Sequence, residues 1–293
     1  MIKKYIIYPI QYLFFLLVYC FFKIIPSKFA SNFGGNIFKI LGPFSNTHKI
    51  VKSNLNQVFK NKNTLITSKI EKSCWENLGR TIAELPHLHK ITRIKNKNID
   101  VSGSKFLNKI IEKNEQAIFI AIHQSNWEIL APILISYGIK LNTVYRHINN
   151  LLIDRFILNI RKKAYSSKIS KLSPKGKKSA QDMIKSIKNG YSIALLVDQK
   201  DSSGLTVPLL EKNSKTQTGF LKLSKKFNLK IYPIENKRIN NTRFKIIIHK
   251  PIDFFNNKKR YNEKTAMIHI HKMIGKWIIK NPENWLWQHK RWD

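Results

Sequence analysis

Histidine and glutamate stand five residues apart in the stretch AIHQSNWEIL (residues 121–130), and together they could form a general base and its orienting acid. A carboxylate that accepts one imidazole N–H fixes the tautomer of the ring and leaves the other nitrogen to take a proton from a hydroxyl group. On a regular helix this spacing would place the two side chains on well-separated sides. His123 and Glu128 can therefore meet only across a turn that joins two elements.

The flanking residues predict such a turn. The run QAIFIAI (116–122) is short, apolar and rich in isoleucine, which is typical of a buried strand. The run WEILAPILI (127–135) predicts an apolar helix whose first turns must contain Pro132. His123 would then lie at the carboxyl end of a strand, where ligand crevices form in open α/β sheets.

Ser125 allows two other interpretations of the same stretch. Ser125 followed three residues later by Glu128 matches a capping box, in which both side chains bind backbone N–H groups of the new helix and Glu128 is structural. Ser125 could also be a nucleophile, but no G-x-S-x-G elbow surrounds it. The residues themselves leave the dyad and the capping box open.

The charge balance points to anionic partners. The 293 residues contain 53 Lys and Arg against 17 Asp and Glu, a formal net charge of +36, although abundant Ile, Lys and Asn also suggest the bias of an AT-rich genome. The basic residues are spread along the whole chain, and no common nucleic-acid-binding signature occurs.

Cys20 and Cys74 can form neither a disulfide framework nor a zinc site, so we expect no metal.

The amino terminus predicts a membrane anchor. Residues 5–22 carry no charge and lie between Lys4 and Lys23, which is near the lower limit of length for a spanning helix. A spanning helix and an interfacial helix both fit, whereas a cleaved signal peptide lacks its small-residue cleavage pattern. We expect an anchor over residues 1–25 and a single catalytic domain over residues 26–293.

Helical and strand patterns alternate through the rest of the chain, which predicts the α/β class with one mixed sheet flanked by helices. The predicted strands cover residues 116–122, 139–145, 191–197, 229–234 and 243–249. The predicted helices lie within 46–90, where Ser68-x-x-Glu71 suggests a capping box, and at 104–114, 151–163, 176–189 and 264–280.

Five segments in order carry a resemblance to a known family. They are NLGRTIAEL (77–85), HQSNWE (123–128), VYRHINNLLIDRFILNIR (144–161), LLVDQKDSSGLTVPLLEKNSKTQTG (195–219) and PENWLWQHKRW (282–292). With the H-x4-D/E motif and the apolar amino terminus, they make the chain resemble, over nearly its whole length, the bacterial lipid A biosynthesis acyltransferases.

This resemblance implies a glycerolipid-acyltransferase-like fold and transfer of a fatty acyl chain from an acyl carrier protein thioester to a hydroxyl of a lipid A precursor. His123 would remove the hydroxyl proton and Glu128 would orient His123, without a cofactor. It also implies four substrate-binding residues: Arg146, Arg161, Asp198 and Gln199. The acceptor would be a phosphorylated glycolipid, and the enzyme would sit in the bacterial inner membrane with its site on the cytoplasmic side.

Two alternatives stay open. The first is an acyltransferase of the same architecture that acts on another glycolipid or on a glycerophospholipid. The second is a basic protein without catalytic activity that binds RNA or an anionic membrane, for which salt-dependent binding would not change when His123 and Glu128 are replaced.

Overall fold

A mixed seven-stranded sheet forms the centre of the protein. The computed structural model describes residues 3–60, 64–93, 98–165, 168–174, 176, 179–255 and 261–292. The strands of this part of the chain are β1 Ile99–Ser102, β2 Ala117–Ala121, β3 Leu141–Tyr145, β4 Ser170–Pro174, β5 Ser192–Leu196, β6 Lys200–Leu209, β7 Lys212–Thr216, β8 Lys230–Asn240 and β9 Arg243–Ile248. The sheet order is β1-β9-β8-β2-β5-β3-β4, and β6 and β7 form a separate hairpin.

The helices flank this sheet and extend from it at the amino terminus. They are α1 Tyr8–Ile24, α2 Ser27–Leu41, α3 His48–Val58, α4 Thr64–Glu84, α5 Leu88–Ile91, α6 Ser104–Glu112, α7 Leu130–Ser136, α8 Leu151–Ala164, α9 Ser179–Lys188, α10 Gly219–Phe227 and α11 Glu263–Lys280. This architecture confirms the predicted fold class. Residues 177 and 178, where helix 176–189 was predicted to start, lie outside the described residues.

Strand β2 lies in the middle of the sheet and sets the register around the site. It pairs in parallel with β5 and with β8, and Ala121 is opposite Leu196. All five residues of β2 are buried, as expected for a strand covered on both faces. The antiparallel pairing of β8 with β9 makes the sheet mixed.

Two apolar layers cover the faces of the sheet. On one face, Ile118 and Ile120 of β2 join the core that contains Ile270 and Ile274 of α11. On the other face, Phe119 joins the core that contains residues of α7. Successive residues of a strand point to opposite faces, so β2 contributes to both layers.

The amino-terminal helix leaves most of its apolar surface exposed. By length and composition, Lys4–Ile24 could cross a membrane. Its 18-residue apolar stretch has a mean hydropathy of 1.8, and only 6% of that stretch is buried. One side of α1 packs on α8, where the rings of Tyr12, Phe15 and Tyr19 surround Phe156. The distances from their ring centroids to that of Phe156 are 4.9–6.1 Å. This exposed apolar helix is weak evidence for membrane association.

Two local predictions differ from the structure. Helix α4 already extends from Thr64, so Ser68 lies inside the helix and does not open it with Glu71. Strands β1 and β4 and the β6–β7 hairpin were not predicted. Strands β1, β4 and β7 are only four or five residues long, and β6 begins with polar residues, so none of them contains the apolar run by which the other strands were recognised. The boundary between anchor and catalytic domain stays a prediction.

Candidate active site

His123 and Asp198 occupy equivalent positions after two neighbouring parallel strands. Strand β2 ends at Ala121 and β5 ends at Leu196, and these two residues are paired in register. Each functional side chain follows two residues later, and the Val197 N–H donates to the Ala121 carbonyl at 2.9 Å. The carboxyl ends of parallel strands meet at one edge of the sheet, so the fold brings the imidazole and the carboxylate together.

The Asp198 carboxylate binds His123 at two points. Oδ1 lies 2.8 Å from the imidazole Nδ1, and Oδ2 accepts the His123 backbone N–H at 3.0 Å. Burial raises the pKa of Asp198, but the charge and hydrogen bonds of His123 outweigh it and hold the pKa at about 2. Asp198 is therefore ionised at neutral pH, which favours the tautomer with the proton on Nδ1.

The expectation that Glu128 orients His123 by a hydrogen bond is corrected by this geometry. Both Glu128 carboxylate oxygens accept from the Arg161 guanidinium, at 2.8 Å from Nε and 2.6 Å from Nη2. This pair is bidentate and largely buried, and such pairs are among the strongest side-chain contacts. The physical reason is that Arg161 offers Glu128 two N–H donors, whereas Asp198 already holds Nδ1 of His123.

The Glu128 carboxylate nonetheless acts on His123 through its charge. Burial raises the pKa of Glu128, but the Arg161 guanidinium and, to a smaller extent, His123 lower it below the ordinary value. Conversely, burial lowers the pKa of Arg161, and Glu128 outweighs it, so the pKa is raised. The two groups remain charged, and Glu128 places a negative charge near the imidazole.

The predicted capping box is also wrong. The Glu128 backbone N–H donates to the Asn126 side chain at 3.0 Å, so Asn126 caps the 3₁₀ turn Trp127–Ile129 that precedes α7. Ser125 is fully buried at a φ of +53°, and its hydroxyl donates to the Asn236 carbonyl at 3.1 Å. Ser125 is thus fixed against β8, and its contacts support neither capping nor a nucleophilic role.

The four predicted substrate-binding residues have different surroundings. Asp198 is only 2% exposed, and Trp285 donates its indole N–H to Oδ2 at 2.8 Å, so its carboxylate cannot reach a substrate. Asp198 is corrected to a residue that positions His123. Arg161, Gln199 and the exposed Arg146 all line the cavity, and the Arg161 guanidinium is also held by Glu128. Substrate contacts by these three residues stay predictions.

Trp285 and Leu286 of the carboxyl-terminal segment hold the backbone around His123 in place. Trp285 pairs with Gln124 in an isolated bridge, and the Leu286 N–H donates to the His123 carbonyl at 3.0 Å. Trp285 packs edge-to-face on Trp287, with ring centroids 4.6 Å apart. The bond from Trp285 to Asp198 was not predicted from the sequence, because indole N–H partners are set by tertiary structure.

A cavity of about 690 Å³ opens beside His123. His123 and Glu128 both line it. Part of its lining is apolar and comes from β2, β5 and α7: Phe119, Ala121, Leu130, Ala131, Leu134, Ala194 and Leu196. Its polar lining includes Arg146, Gln199, Asp201, Ser203 and Gln217. A cavity whose lining is part apolar and part polar fits a substrate with a chain and a polar head.

The arrangement can perform general base chemistry on a hydroxyl group. With Nδ1 held by Asp198, the second imidazole nitrogen, Nε2, lies 3.3 Å from the Gln199 side-chain nitrogen on the cavity lining. The nearby His289 is unsuited to the role, because burial lowers its pKa to about 4 and its Nε2 accepts the Lys200 N–H at 3.0 Å. His123 is therefore the base that the geometry favours.

Comparison with family models assigns the chain to a family. The family model described as bacterial lipid A biosynthesis acyltransferase matches residues 2–293. Among solved structures, the chain is similar to the crystal structure of the 1-acyl-sn-glycerophosphate (LPA) acyltransferase PlsC from Thermotoga maritima. The two share 13% identity, with a TM-score of 0.40 and coverage of 92% of this chain and 98% of that chain. No curated protein matches the chain. Because the family match extends over nearly every residue, the chain belongs to the bacterial lipid A biosynthesis acyltransferase family.

Proposed function

We propose that the protein transfers a fatty acyl chain from an acyl carrier protein thioester to a hydroxyl of a lipid A precursor. The observation that carries the proposal is the His123–Asp198 pair at a cavity lined in part by apolar side chains. Apolar side chains suit a fatty acyl chain, and an oriented imidazole suits the activation of a hydroxyl that attacks a thioester. The family supports acyl transfer in general.

In this mechanism Nε2 of His123 takes the proton of the acceptor hydroxyl as its oxygen attacks the thioester carbonyl carbon. The tetrahedral intermediate collapses with cleavage of the carbon–sulfur bond, and the imidazolium returns the proton to the leaving thiolate. Asp198 keeps the proton on Nδ1 and stabilises the imidazolium, as does the negative charge of Glu128. The products are an ester and a free carrier thiol.

The acyl chain would lie against the row of side chains that crosses the sheet under α7. In this row Phe119 of β2 is opposite Ala194 of β5, which is opposite Thr143 of β3. All three line the cavity, and Ala194 is the smallest of them. A small residue at the centre of the row leaves space that a terminal part of the chain can fill.

Replacing Ala194 by leucine should shift the preferred donor toward shorter acyl chains. The added methyl groups occupy space that about two terminal methylenes would fill, and each buried methylene contributes about 0.8 kcal/mol. We expect the ratio of kcat/KM between donors that differ by two carbons to change by about tenfold. A competition assay between acyl carrier proteins that carry acyl chains of different lengths measures this ratio.

The matched control is Ala180→Leu, at an exposed position on α9. An unchanged ratio in Ala194→Leu would exclude this path for the acyl chain.

Charge and the amino terminus support the proposed acceptor and location. Arg146 is exposed on the cavity lining, and its guanidinium suits bidentate binding of a lipid phosphate. The formal charge of +36 would attract both the acidic carrier protein and anionic lipid. The apolar segment Lys4–Ile24 would hold the protein at the inner membrane, with the site on the cytoplasmic side where acyl carrier protein is found.

The test is reconstitution of the purified full-length protein in detergent. Acyl carrier proteins with defined chains are offered together with a phosphorylated glucosamine-disaccharide precursor, and in a parallel reaction with a lysophospholipid. Mass spectrometry should detect the precursor gaining one acyl group. Acylation of the lysophospholipid alone would assign the protein to the alternative acceptor. No transfer to either acceptor, with salt-dependent binding to RNA or vesicles, would favour the non-catalytic alternative.

A further inference from the structure

A buried ion pair lies directly behind the segment that carries His123 and Glu128. Glu84, the last residue of α4, is fully buried and forms an ion pair with Arg238 of β8. Its Oε1 also accepts the Ser31 hydroxyl at 2.6 Å, and its Oε2 accepts from Asn126 Nδ2 at 2.7 Å. The cluster therefore links α2, α4, β8 and the active-site segment at one carboxylate.

Asn126 connects this carboxylate to the site. Its Oδ1 accepts the backbone N–H of Glu128 at 3.0 Å, while its Nδ2 donates to Glu84. The amide thus uses its acceptor toward the turn that carries Glu128 and its donor toward the buried charge. These two bonds fix the orientation of the Asn126 amide, because the reverse orientation would place N–H against N–H and oxygen against oxygen.

The backbone between His123 and Glu128 is held by the same two elements. The Ser125 carbonyl accepts the Thr81 hydroxyl of α4 at 3.0 Å, and the Asn126 carbonyl accepts from Asn236 of β8 at 2.7 Å. Ser125 has a left-handed backbone conformation that side chains other than glycine seldom adopt. A segment in this conformation keeps its shape only where its surroundings determine it.

We propose that Glu84 is a positioning residue, which holds Asn126 and through it the active-site segment in the geometry needed for acyl transfer. Glu84 lies behind the segment and does not line the cavity, so it acts without touching substrate. The carboxylate is suited to this role because Asn126 presents a donor and Arg238 a positive charge. The inference rests on the proposed function and adds a residue to its site.

The polarity of the Glu84–Asn126 bond provides the test. Asn126→Asp keeps the acceptor for the Glu128 N–H but places a second carboxylate against Glu84, and like charges in this position repel. Glu84→Gln alone places an amide opposite the Asn126 amide and removes the negative charge that pairs with Arg238. The double variant Glu84→Gln/Asn126→Asp restores a donor opposite an acceptor with the direction of the bond reversed, and it keeps one negative charge in the cluster.

We expect Asn126→Asp to lower kcat by about 10²-fold with KM within a few-fold of wild type, because a displacement of about 1 Å at a catalytic group has this effect. The double variant should recover kcat to within about tenfold of wild type. The matched control is Asn142→Asp, since Asn142 is also fully buried and bridges two elements, at 2.9 Å from Ser173 and from Ser186. It should unfold at a lower temperature and keep kcat near wild type.

Circular dichroism and thermal unfolding establish which variants fold. If Glu84→Gln or a carboxylate variant does not fold, Asn126→Ser replaces it, because serine still caps the turn but cannot reach Glu84. The inference is overturned if folded Asn126→Asp or Asn126→Ser has wild-type kcat, or if the double variant is no better than the poorer single variant. A wild-type protein without any acyl transfer would instead contradict the proposed function.

Discussion

Replacing His123 by alanine is expected to lower kcat for acyl transfer by about 10²–10⁴-fold, which is the usual contribution of a general base. The alanine variant has no group to take the proton from the acceptor hydroxyl, and Asp198 cannot substitute because it lies behind the imidazole with its other oxygen on Trp285. KM for the acyl donor should change little, since the acyl chain contacts the apolar lining. Single-turnover transfer of a labelled acyl group measures the loss.

The matched control is His147→Ala. His147 also bonds an aspartate through Nδ1, at 2.7 Å from Asp154, but its side chain is 50% exposed and does not line the cavity. This variant should keep kcat within a few-fold of wild type. If His123→Ala folds and retains kcat within tenfold of wild type, His123 is not the base and the mechanism proposed above is wrong.

The position of His123 could be predicted from the sequence because local patterns determine it. A short apolar run ends one residue before His123, and the end of a buried parallel strand is where a cleft forms. The same reasoning applies to Asp198, which follows the next buried run in the sheet. The class of fold followed from the alternation of such runs with helical patterns.

The partners of these side chains could not be predicted in the same way. The sequence predicted Glu128 as the partner of the imidazole, but Glu128 is held by Arg161, which lies 33 residues further along the chain. Asp198 is 75 residues from His123 but becomes its neighbour because β2 and β5 pair in register. Strand order depends on long-range packing, which a single sequence does not reveal.

The capping prediction failed for a related reason. Ser125 has the right spacing to Glu128, but tertiary contacts with β8 draw its hydroxyl away, and the adjacent Asn126 has an equal capping preference. Glu84 gave no sign of its role, since acidic residues near the end of a helix are mostly solvated. The full burial of Glu84 beside Arg238 distinguishes it, and burial of a single charged residue is a property of the fold.

The two acidic residues of the site can be separated by matched amide substitutions. Asp198→Asn is expected to lower kcat by about 10²–10⁴-fold, because an asparagine amide can donate to Nδ1 and so favours the tautomer in which Nε2 carries the proton. In that tautomer the cavity-facing nitrogen has no free lone pair for the acceptor hydroxyl. The carboxamide has nearly the same shape as the carboxylate, so the Trp285 bond and the position of the strand ends should persist.

Glu128→Gln is expected to lower kcat by only about tenfold, because it removes a negative charge near the imidazolium but no hydrogen bond to His123. Its larger effect should be on stability, since Arg161 then keeps its charge in a largely buried site without a charged partner, and breaking such a pair costs about 3 kcal/mol or more. Measuring kcat and the urea midpoint for both variants separates the two roles. A greater loss of kcat in Glu128→Gln than in Asp198→Asn would return the orienting role to Glu128, and Asp198 would then serve only to close the end of the sheet beneath Trp285.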